Sequence, residues 1–165
     1  MQQEETERQF KKLIQENERL IWKVCNIYAY TRADREDPFQ DIVVRIWIAL
    51  PTFRAESKVS TWIYRVAINT AITGLRNKKD FIHSIEPASL PTDAIDEDTR
   101  AEQEQLQELY TAIESLNSIE KAIVMLYLEE RSYIEMEEIL GITQGTLRVK
   151  MNRIKEKLRQ LTENK

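Results

Sequence analysis

Residues 132–161 read SYIEMEEILGITQGTLRVKMNRIKEKLRQL, and this stretch decides the fold. Apolar residues recur at helical spacing on both sides of Gly141, where the periodicity breaks for three residues. Glycine adopts the left-handed conformation that ends a helix, and Thr143 can cap the helix that follows. The pattern predicts a helix over 132–140, a turn over 141–143 and a second helix to about Leu161. A short helix, a tight glycine turn and a longer helix make a helix-turn-helix pattern.

The second helix of this pattern carries many basic side chains. Leu147 and either Met151 or Ile154 are expected to face the core, which leaves the basic residues at exposed positions. Arg and Asn are among the side chains that pair with base edges through two hydrogen bonds. A basic helix on its own is also explained as a solvated surface, but its place directly after the glycine turn favours DNA recognition.

The rest of the chain has helical periodicity as well. Only three Gly and four Pro occur, and no alternation typical of strands competes with the helical spacing. The N-terminal half is predicted to form three helices, over residues 6–30, 34–50 and about 60–78. Asp34 is expected to cap the second helix and Ser60 or Thr61 the third.

Capping signals also divide the C-terminal half. Asn117 with Glu120, and Ser132 with Glu135, have the spacing of a capping box. Helical periodicity is lost after Lys79 and is expected to resume near Ala101. The segment between them contains prolines and acids, which is typical of a linker. We predict an all-α chain of two small helical domains, 1–79 and 104–165, joined by an acidic linker, 80–103. The stripe expected to be buried after Asn117 is Ile119, Ile123, Leu126 and Tyr127.

Charge is segregated along the chain. The net charge of -4 argues against nucleic acid at first sight, because Lys and Arg supply most of the affinity for phosphate. However, residues 1–79 carry +4 and residues 143–165 carry +5, whereas residues 80–108 carry -8 and residues 109–142 carry -5. Two basic regions separated by an acidic stretch are typical of a bipartite nucleic-acid binder.

The third helix has a polar face without acids. Arg65, Asn69, Thr73 and Arg76 follow one another at spacings of four, four and three residues. Helical geometry places residues at these spacings on one side. The face is explained either as the solvated side of an amphipathic helix or as a surface for nucleic acid.

Composition argues against catalysis and metal binding. One histidine, His83, and one cysteine, Cys25, cannot build a Ser-His-Asp or Cys-His site or a recognisable zinc site. We therefore expect no enzymatic activity, no cofactor and no small-molecule substrate, although an all-α enzyme built on Arg and Glu is conceivable. The N-terminus resembles no signal peptide and no run of eighteen apolar residues occurs, so a cytoplasmic protein without membrane insertion is expected. Cys25 is interpreted as core, and so are the three tryptophans, Trp22, Trp47 and Trp62.

Two stretches resemble the extracytoplasmic-function sigma factors of the sigma-70 family. The stretch 34–79, with DREDPFQDI over 34–42, Phe53-Arg54 and STWIYRVAINTA over 60–71, is similar to the second conserved region of that family. Residues 116–158, with Ser132-Tyr133 and the run LGITQGTLR over 140–148, resemble the fourth region. Pro38 and Glu137 depart from the family pattern, which has an apolar and a small residue at these places. The resemblance implies a protein that binds core RNA polymerase and directs promoter recognition and transcription initiation.

The resemblance also implies which residues make contacts. The resemblance implies that residues of the second helix contact the polymerase. Residues of the third helix and the loop before it would contact the minus-ten element, and residues of the last helix would contact the major groove of the minus-thirty-five element. Asn69 matches the position that reads a flipped base, and the acidic linker matches the segment that occupies a polymerase channel. The implied polymerase contacts are Asp37, Gln40, Asp41 and Arg45. The minus-ten contacts are Phe53, Arg54, Lys58, Arg65, Asn69, Thr70, Thr73, Arg76 and Lys78, and the minus-thirty-five contacts are Thr143, Gln144, Thr146, Arg148, Lys150, Asn152, Arg153 and Lys155.

The resemblance further implies control by an anti-sigma factor. The main alternative is a helix-turn-helix regulator that binds an operator by itself and uses its N-terminal bundle to dimerise. Such a regulator does not require the basic loop and helix at residues 53–79, and a chain of net charge -4 supplies few cations for binding duplex DNA alone.

Overall fold

Helices account for all the regular structure in the computed structural model, which describes residues 1–28, 36–78 and 97–163. The chain divides into two compact units, an N-terminal unit of Met1–Ala88 and a C-terminal unit of Ser89–Lys165. The predicted all-α class with two helical domains is therefore confirmed. The helices are α1 Gln2–Tyr28, α2 Glu36–Ala49, α3 Val59–Lys78, α4 Glu97–Glu114, α5 Ser118–Leu128, α6 Tyr133–Leu140 and α7 Gln144–Glu163, with a 3-10 turn over Leu50–Thr52.

The N-terminal unit is a bundle of α1, α2 and α3, in which each helix packs against the other two. Its core consists of the apolar residues that recur at helical spacing in the sequence. Burying these side chains is the main stabilising contribution to a small helical domain. The fully or nearly fully buried residues include Ile21, Val24, Cys25, Ile42, Ile46, Ile63, Tyr64, Ala67 and Ile68.

Cys25 lies in the middle of this core, as predicted. Its side chain is fully buried in α1. Burial disfavours the charged thiolate and raises the pKa of the thiol to about 11. The group is therefore a protonated packing residue at neutral pH.

Three helix starts differ from the prediction, and the first is that of α1, which begins at Gln2, ahead of the expected residue 6. The Trp62 N–H donates to the Lys58 carbonyl oxygen at 3.1 Å, so α3 begins at Val59 and neither Ser60 nor Thr61 caps it. Thr61 is instead buried within the first turn. Helix α4 begins at Glu97, ahead of the expected start near Ala101. Residues 29–35, with the proposed cap Asp34, and residues 79–96 lie outside the described part of the chain. The start of the linker therefore stays a prediction, and residues 97–103 of the predicted linker are helical in α4.

The C-terminal unit packs α4, α5 and α6 against α7. Helix α5 buries six consecutive residues, Lys121 to Leu126, because neighbours surround its middle. The predicted stripe is confirmed at Ile123 and Leu126 and wrong at Ile119 and Tyr127, which are exposed at the two ends of the helix. Other buried residues of the unit are Ala112, Ile113, Leu116, Met136, Ile139, Leu147, Met151 and Ile154.

Asn117 caps α5 through the predicted capping box. Its side-chain oxygen accepts a hydrogen bond from the Glu120 N–H at 2.8 Å, and the Glu120 carboxylate accepts one from the Asn117 N–H at 3.3 Å. We expect Asn117→Ala to lower the free energy of unfolding of the C-terminal unit by about 0.5–2 kcal/mol, because an N–H at the helix start loses its partner. Urea denaturation followed by circular dichroism measures this change. The control is Asn152→Ala, which replaces an exposed asparagine within α7 and should not lower the free energy of unfolding.

Candidate nucleic-acid interface

Helices α6 and α7 form the predicted helix-turn-helix. Ser132 caps α6 by accepting from the Glu135 N–H at 3.2 Å. Gly141 has the left-handed φ of 70° that ends α6, and its N–H donates to the Glu137 carbonyl oxygen at 2.8 Å. Thr143 then accepts from the Thr146 N–H at 3.4 Å and starts α7. The helix-ending role of Gly141 and the capping roles of Ser132 and Thr143 are confirmed, and of the predicted capping box of Ser132 and Glu135 this is the half in which the serine accepts.

The core of the motif determines which side of α7 faces outward. Leu147, Met151 and Ile154 are buried, as predicted, and α7 packs on α6 through this face. With about 100° per residue, most of the predicted contact residues of α7 fall on the two flanks of the buried stripe. Arg148, Asn152 and Lys155 share one flank. Thr146, Lys150 and Arg153 share the other.

Three of the predicted contact residues on α7 are held by neighbouring helices. The Arg148 guanidinium lies 5.1 Å from the centre of the Tyr133 ring on α6, and the Lys155 ammonium lies 4.7 Å from the centre of the Tyr127 ring on α5. The Gln144 side-chain nitrogen donates to the Glu137 carboxylate at 3.1 Å. Periodicity identified α7 as an exposed basic helix, but a single sequence carries no signal for these partners.

A groove of about 780 Å³ in the N-terminal unit is lined by residues of α2 and α3. Two of the predicted polymerase contacts, Asp41 and Arg45, line this groove. Three of the predicted minus-ten contacts, Asn69, Thr70 and Thr73, line it as well. The structure thus brings parts of the two predicted surfaces to one place. Gln40 is exposed on α2, whereas the side chains of Asp37, Arg76 and Lys78 lie outside the described part of the chain.

Hydrogen bonds within α3 distinguish Asn69 from its two threonine neighbours. The Thr70 hydroxyl donates to the Val66 carbonyl oxygen at 2.7 Å, and the Thr73 hydroxyl donates to the Asn69 carbonyl oxygen at 2.8 Å. Both hydroxyls are thus engaged with the helix backbone. Asn69 lines the groove with an exposed amide, which offers a donor and an acceptor.

Two exposed apolar residues in the same groove were missed by sequence reasoning. Val44 and Ile48 on α2 are 54% and 60% exposed, one helical turn apart, and both line the groove. Ile42 and Ile46 already form the buried stripe of α2. The available signal was that α2 carries more apolar residues than one buried stripe requires.

Aromatic residues surround the loop between α2 and α3. The Phe53 and Trp62 rings lie 4.9 Å apart, and both line a second cavity of about 740 Å³ together with Trp47. Arg54 and Lys58 are exposed in the loop, where Ala55 adopts a positive φ of 56°. Trp62 is buried as predicted, and Trp22 is half-buried against Phe39 with ring centres 4.2 Å apart. The core prediction is wrong for Trp47, which is 40% exposed and meets the Phe10 ring edge-on at 4.9 Å between ring centres.

The described residues contain no cluster of three or more His, Cys, Asp or Glu side chains placed to hold a metal ion. His83 lies outside the described residues. On the α3 side of the groove the polar groups are the amide of Asn69 and the hydroxyls of Thr70 and Thr73, and most charged groups of α7 are guanidinium groups and amines. These are the groups that contact nucleic-acid bases and phosphates.

Comparison with known proteins identifies the two units. Residues 13–81 match the family model of Sigma-70 region 2, and residues 106–158 match that of Sigma-70 region 4. The chain is 28% identical over 152 residues to the ECF RNA polymerase sigma factor SigW of Bacillus subtilis, covering 85% of this chain and 81% of that protein. It is 30% identical over 135 residues to the ECF RNA polymerase sigma-E factor of Escherichia coli, covering 74% of this chain and 71% of that protein.

A solved structure has the same fold. The sigma factor RpoE of Bartonella quintana, crystallised with the anti-sigma factor NepR, superposes with a TM-score of 0.72 at 18% identity, over 94% of this chain and 98% of that chain. Both units, in the same order, therefore have counterparts in one known family. The chain belongs to the extracytoplasmic-function group of the sigma-70 family of RNA polymerase sigma factors.

Proposed function

We propose that the chain binds core RNA polymerase through the α2 side of its groove, opens promoter DNA with α3 and the loop before it, and reads the upstream element with α7. Its function as a promoter-directing transcription initiation factor follows from its family. One observation carries the assignment of surfaces. Each unit presents an exposed polar helix face, and the two units follow the order of regions 2 and 4.

The groove of the N-terminal unit supports two adjacent contacts. Val44 and Ile48 offer exposed apolar area, and Asp41 and Arg45 offer charges of both signs beside it. Apolar area flanked by charge is the composition of many protein interfaces. We assign this α2 side, with Asp37 and Gln40, to the polymerase.

The α3 side of the groove and the loop before it are assigned to the minus-ten element. Extruding a base costs a few kcal/mol, which hydrogen bonds and stacking in a pocket offset. Asn69 supplies an amide donor and acceptor for such a base. The aromatic and basic loop supplies stacking and cation density for the separated strand. The assigned residues are Phe53, Arg54, Lys58, Arg65, Asn69, Thr70, Thr73, Arg76 and Lys78.

Helix α7 is assigned to the upstream promoter element. The second helix of a helix-turn-helix enters the major groove with its N-terminal residues toward the bases. Arg148 and Asn152 lie on one flank of α7, and Lys150 and Arg153 lie on the other. A helix placed in the DNA major groove would therefore present side chains suited to bases or phosphates to both walls of that major groove. Thr143, Gln144, Thr146 and Lys155 complete the proposed contact set.

The test of this function is transcription with added polymerase. Because the chain carries a net charge of -4, we expect weak binding to duplex promoter DNA alone and specific transcript starts once core RNA polymerase is present. Gel-shift titration and in-vitro transcription with sequenced transcripts measure the two properties. Nanomolar binding to duplex without polymerase, or polymerase binding without defined starts, would contradict the assignment.

The stand-alone regulator is not favoured. A regulator that binds an operator by itself needs only the C-terminal helix-turn-helix and a dimerising partner surface. It does not explain why residues 13–81 match region 2 of the sigma factors. The region 2 match also removes the need to assign the N-terminal unit to dimerisation.

Three further assignments accompany this function. An anti-sigma factor is expected to cover the polymerase and DNA surfaces, a partner supported by the related structure solved with NepR. The chain is expected to act without catalysis of its own, through binding alone. The cytoplasm is the expected location, because the proposed partners are polymerase and DNA. Within the described residues, none of the helices has the length and apolar content that crossing a bilayer requires.

The predicted domain limits fit the same assignment. Residues 1–79 would form the region 2 domain and residues 104–165 the region 4 domain, joined by the acidic segment 80–103, whose last seven residues form the start of α4. The family models, which span 13–81 and 106–158, support these limits. Limited proteolysis followed by mass spectrometry tests them, since cleavage is expected to concentrate between the two domains.

A further inference from the structure

Helix α6 contacts two of the proposed DNA-reading side chains of α7. Glu137, in the last turn of α6, accepts a hydrogen bond from Gln144, the first residue of α7, at 3.1 Å. One turn earlier on α6 the Tyr133 ring contacts Arg148, which lies one turn further along α7. The two pairs therefore repeat at a spacing of four residues on both helices. Both members of the Glu137 and Gln144 pair are half-buried, which restricts their motion and shields their hydrogen bond from water.

The chemistry of the pair fixes the orientation of the glutamine amide. A carboxylate oxygen only accepts hydrogen bonds, so the amide nitrogen of Gln144 must face Glu137 and the amide oxygen must face away. The nitrogen carries two N–H groups and gives one of them to Glu137. The second N–H and the oxygen are left for another partner. One donor beside one acceptor on an amide is the arrangement that pairs with N7 and N6 of adenine in the major groove.

We propose that Glu137 is a positioning residue that holds Gln144 in the orientation that reads an adenine in the upstream promoter element. The inference rests on the proposed function of α7 as the reading helix. A glutamine side chain is flexible, and fixing it at the moment of binding weakens the complex by about two- to tenfold. Glu137 fixes it in the protein before DNA arrives. Glu137 thus acts through Gln144 and does not itself contact the base.

A carboxylate close to a DNA-binding surface otherwise opposes binding. A negative charge near phosphates weakens affinity for every DNA sequence by a similar factor. If Glu137 has no positioning role, its removal should therefore strengthen binding to all DNA sequences by a similar factor and leave the base preference unchanged. Positioning predicts instead that base preference is lost at one site. The two roles therefore differ in how the effect of removing Glu137 is distributed over promoter sequences, and this distribution is the quantity to measure.

The experiment uses the full chain with core RNA polymerase and a promoter library in which the upstream element is randomised. Transcripts are sequenced to give the preference at each base pair. Gln144→Ala should reduce the preference for adenine at one position by about 5- to 150-fold. Glu137→Ala should reduce the preference at that same position by about two- to tenfold. The double variant should lose no more than Gln144→Ala alone, because both changes act on one interaction.

Two control variants separate the hydrogen bond from the charge. Glu137→Gln removes the charge but keeps an oxygen that accepts from Gln144, so the preference should stay within about twofold of the parent. Glu138→Ala removes a charge from the neighbouring position of α6 and should change the transcript yield from all promoter sequences by a similar factor. The idea is wrong if Glu137→Ala behaves like Glu138→Ala, if Glu137→Gln loses the preference as fully as Glu137→Ala, or if the affected base is not adenine. If the unaltered chain directs no defined starts, the proposed function itself fails.

Discussion

Leu147→Ala is expected to lower the free energy of unfolding of the C-terminal unit by about 2–5 kcal/mol. Leu147 is fully buried in the first turn of α7, directly after the turn of the helix-turn-helix. Removing its three outer carbons loses apolar burial and leaves a cavity that rigid helices fill only in part. A unit of this size has a total stability of about 3–10 kcal/mol, so the substitution removes a large part of it.

Val149→Ala is the matched control for this substitution. It also shortens an aliphatic side chain in the same turn of α7, but Val149 is 50% exposed. Its effect should stay within about 0.5 kcal/mol. Guanidinium denaturation of the full chain measures both variants, and the N-terminal unit should unfold unchanged. A cost for Leu147→Ala no greater than that for Val149→Ala would show that α7 does not pack as described.

Asn69→Ala is expected to slow promoter opening by about 5- to 150-fold while binding to closed duplex stays within about twofold of the parent. The amide of Asn69 is exposed in the groove between α2 and α3, where an extruded base would meet it. Its hydrogen bonds to such a base form only after the duplex opens. Their loss therefore raises the barrier to opening and leaves the initial complex intact.

The control for Asn69→Ala is Asn26→Ala, which removes an exposed amide from α1 of the same unit. It should leave both closed binding and opening unchanged. Permanganate reactivity of unpaired thymines, followed over time after mixing polymerase, chain and promoter, measures opening. Filter binding at low temperature measures the closed complex. Equal losses in both measurements for Asn69→Ala would remove the flipped-base role.

The sequence predicted those features that depend on a few neighbouring residues. The caps at Asn117, Ser132 and Thr143 and the left-handed Gly141 are local, because each requires particular side chains at fixed spacings. The inward face of α7 was predicted for the same reason, since an amphipathic helix carries its own pattern. The fold class and the helix-turn-helix follow from these local features.

Features that depend on which helices meet could not be predicted from one sequence. Tyr127 and Ile119 have apolar spacing, but whether the ends of α5 are covered depends on the lengths and angles of its neighbours. Trp47 is exposed for a similar reason. The meeting of Glu137 with Gln144 depends on the angle between α6 and α7, which the turn sets and periodicity does not encode. The groove between α2 and α3 is likewise a product of tertiary packing.

The buried thiol of Cys25 offers a way to observe motion in the N-terminal unit. Thiol reagents and oxidants attack the thiolate, and this group is both protonated and enclosed in the folded unit. Modification therefore has to wait until the three-helix bundle separates. Because the chain has only one cysteine, labelling reports a single site. Its rate of reaction with a maleimide, with and without polymerase, gives the frequency at which the bundle opens and shows how much the partner suppresses that opening.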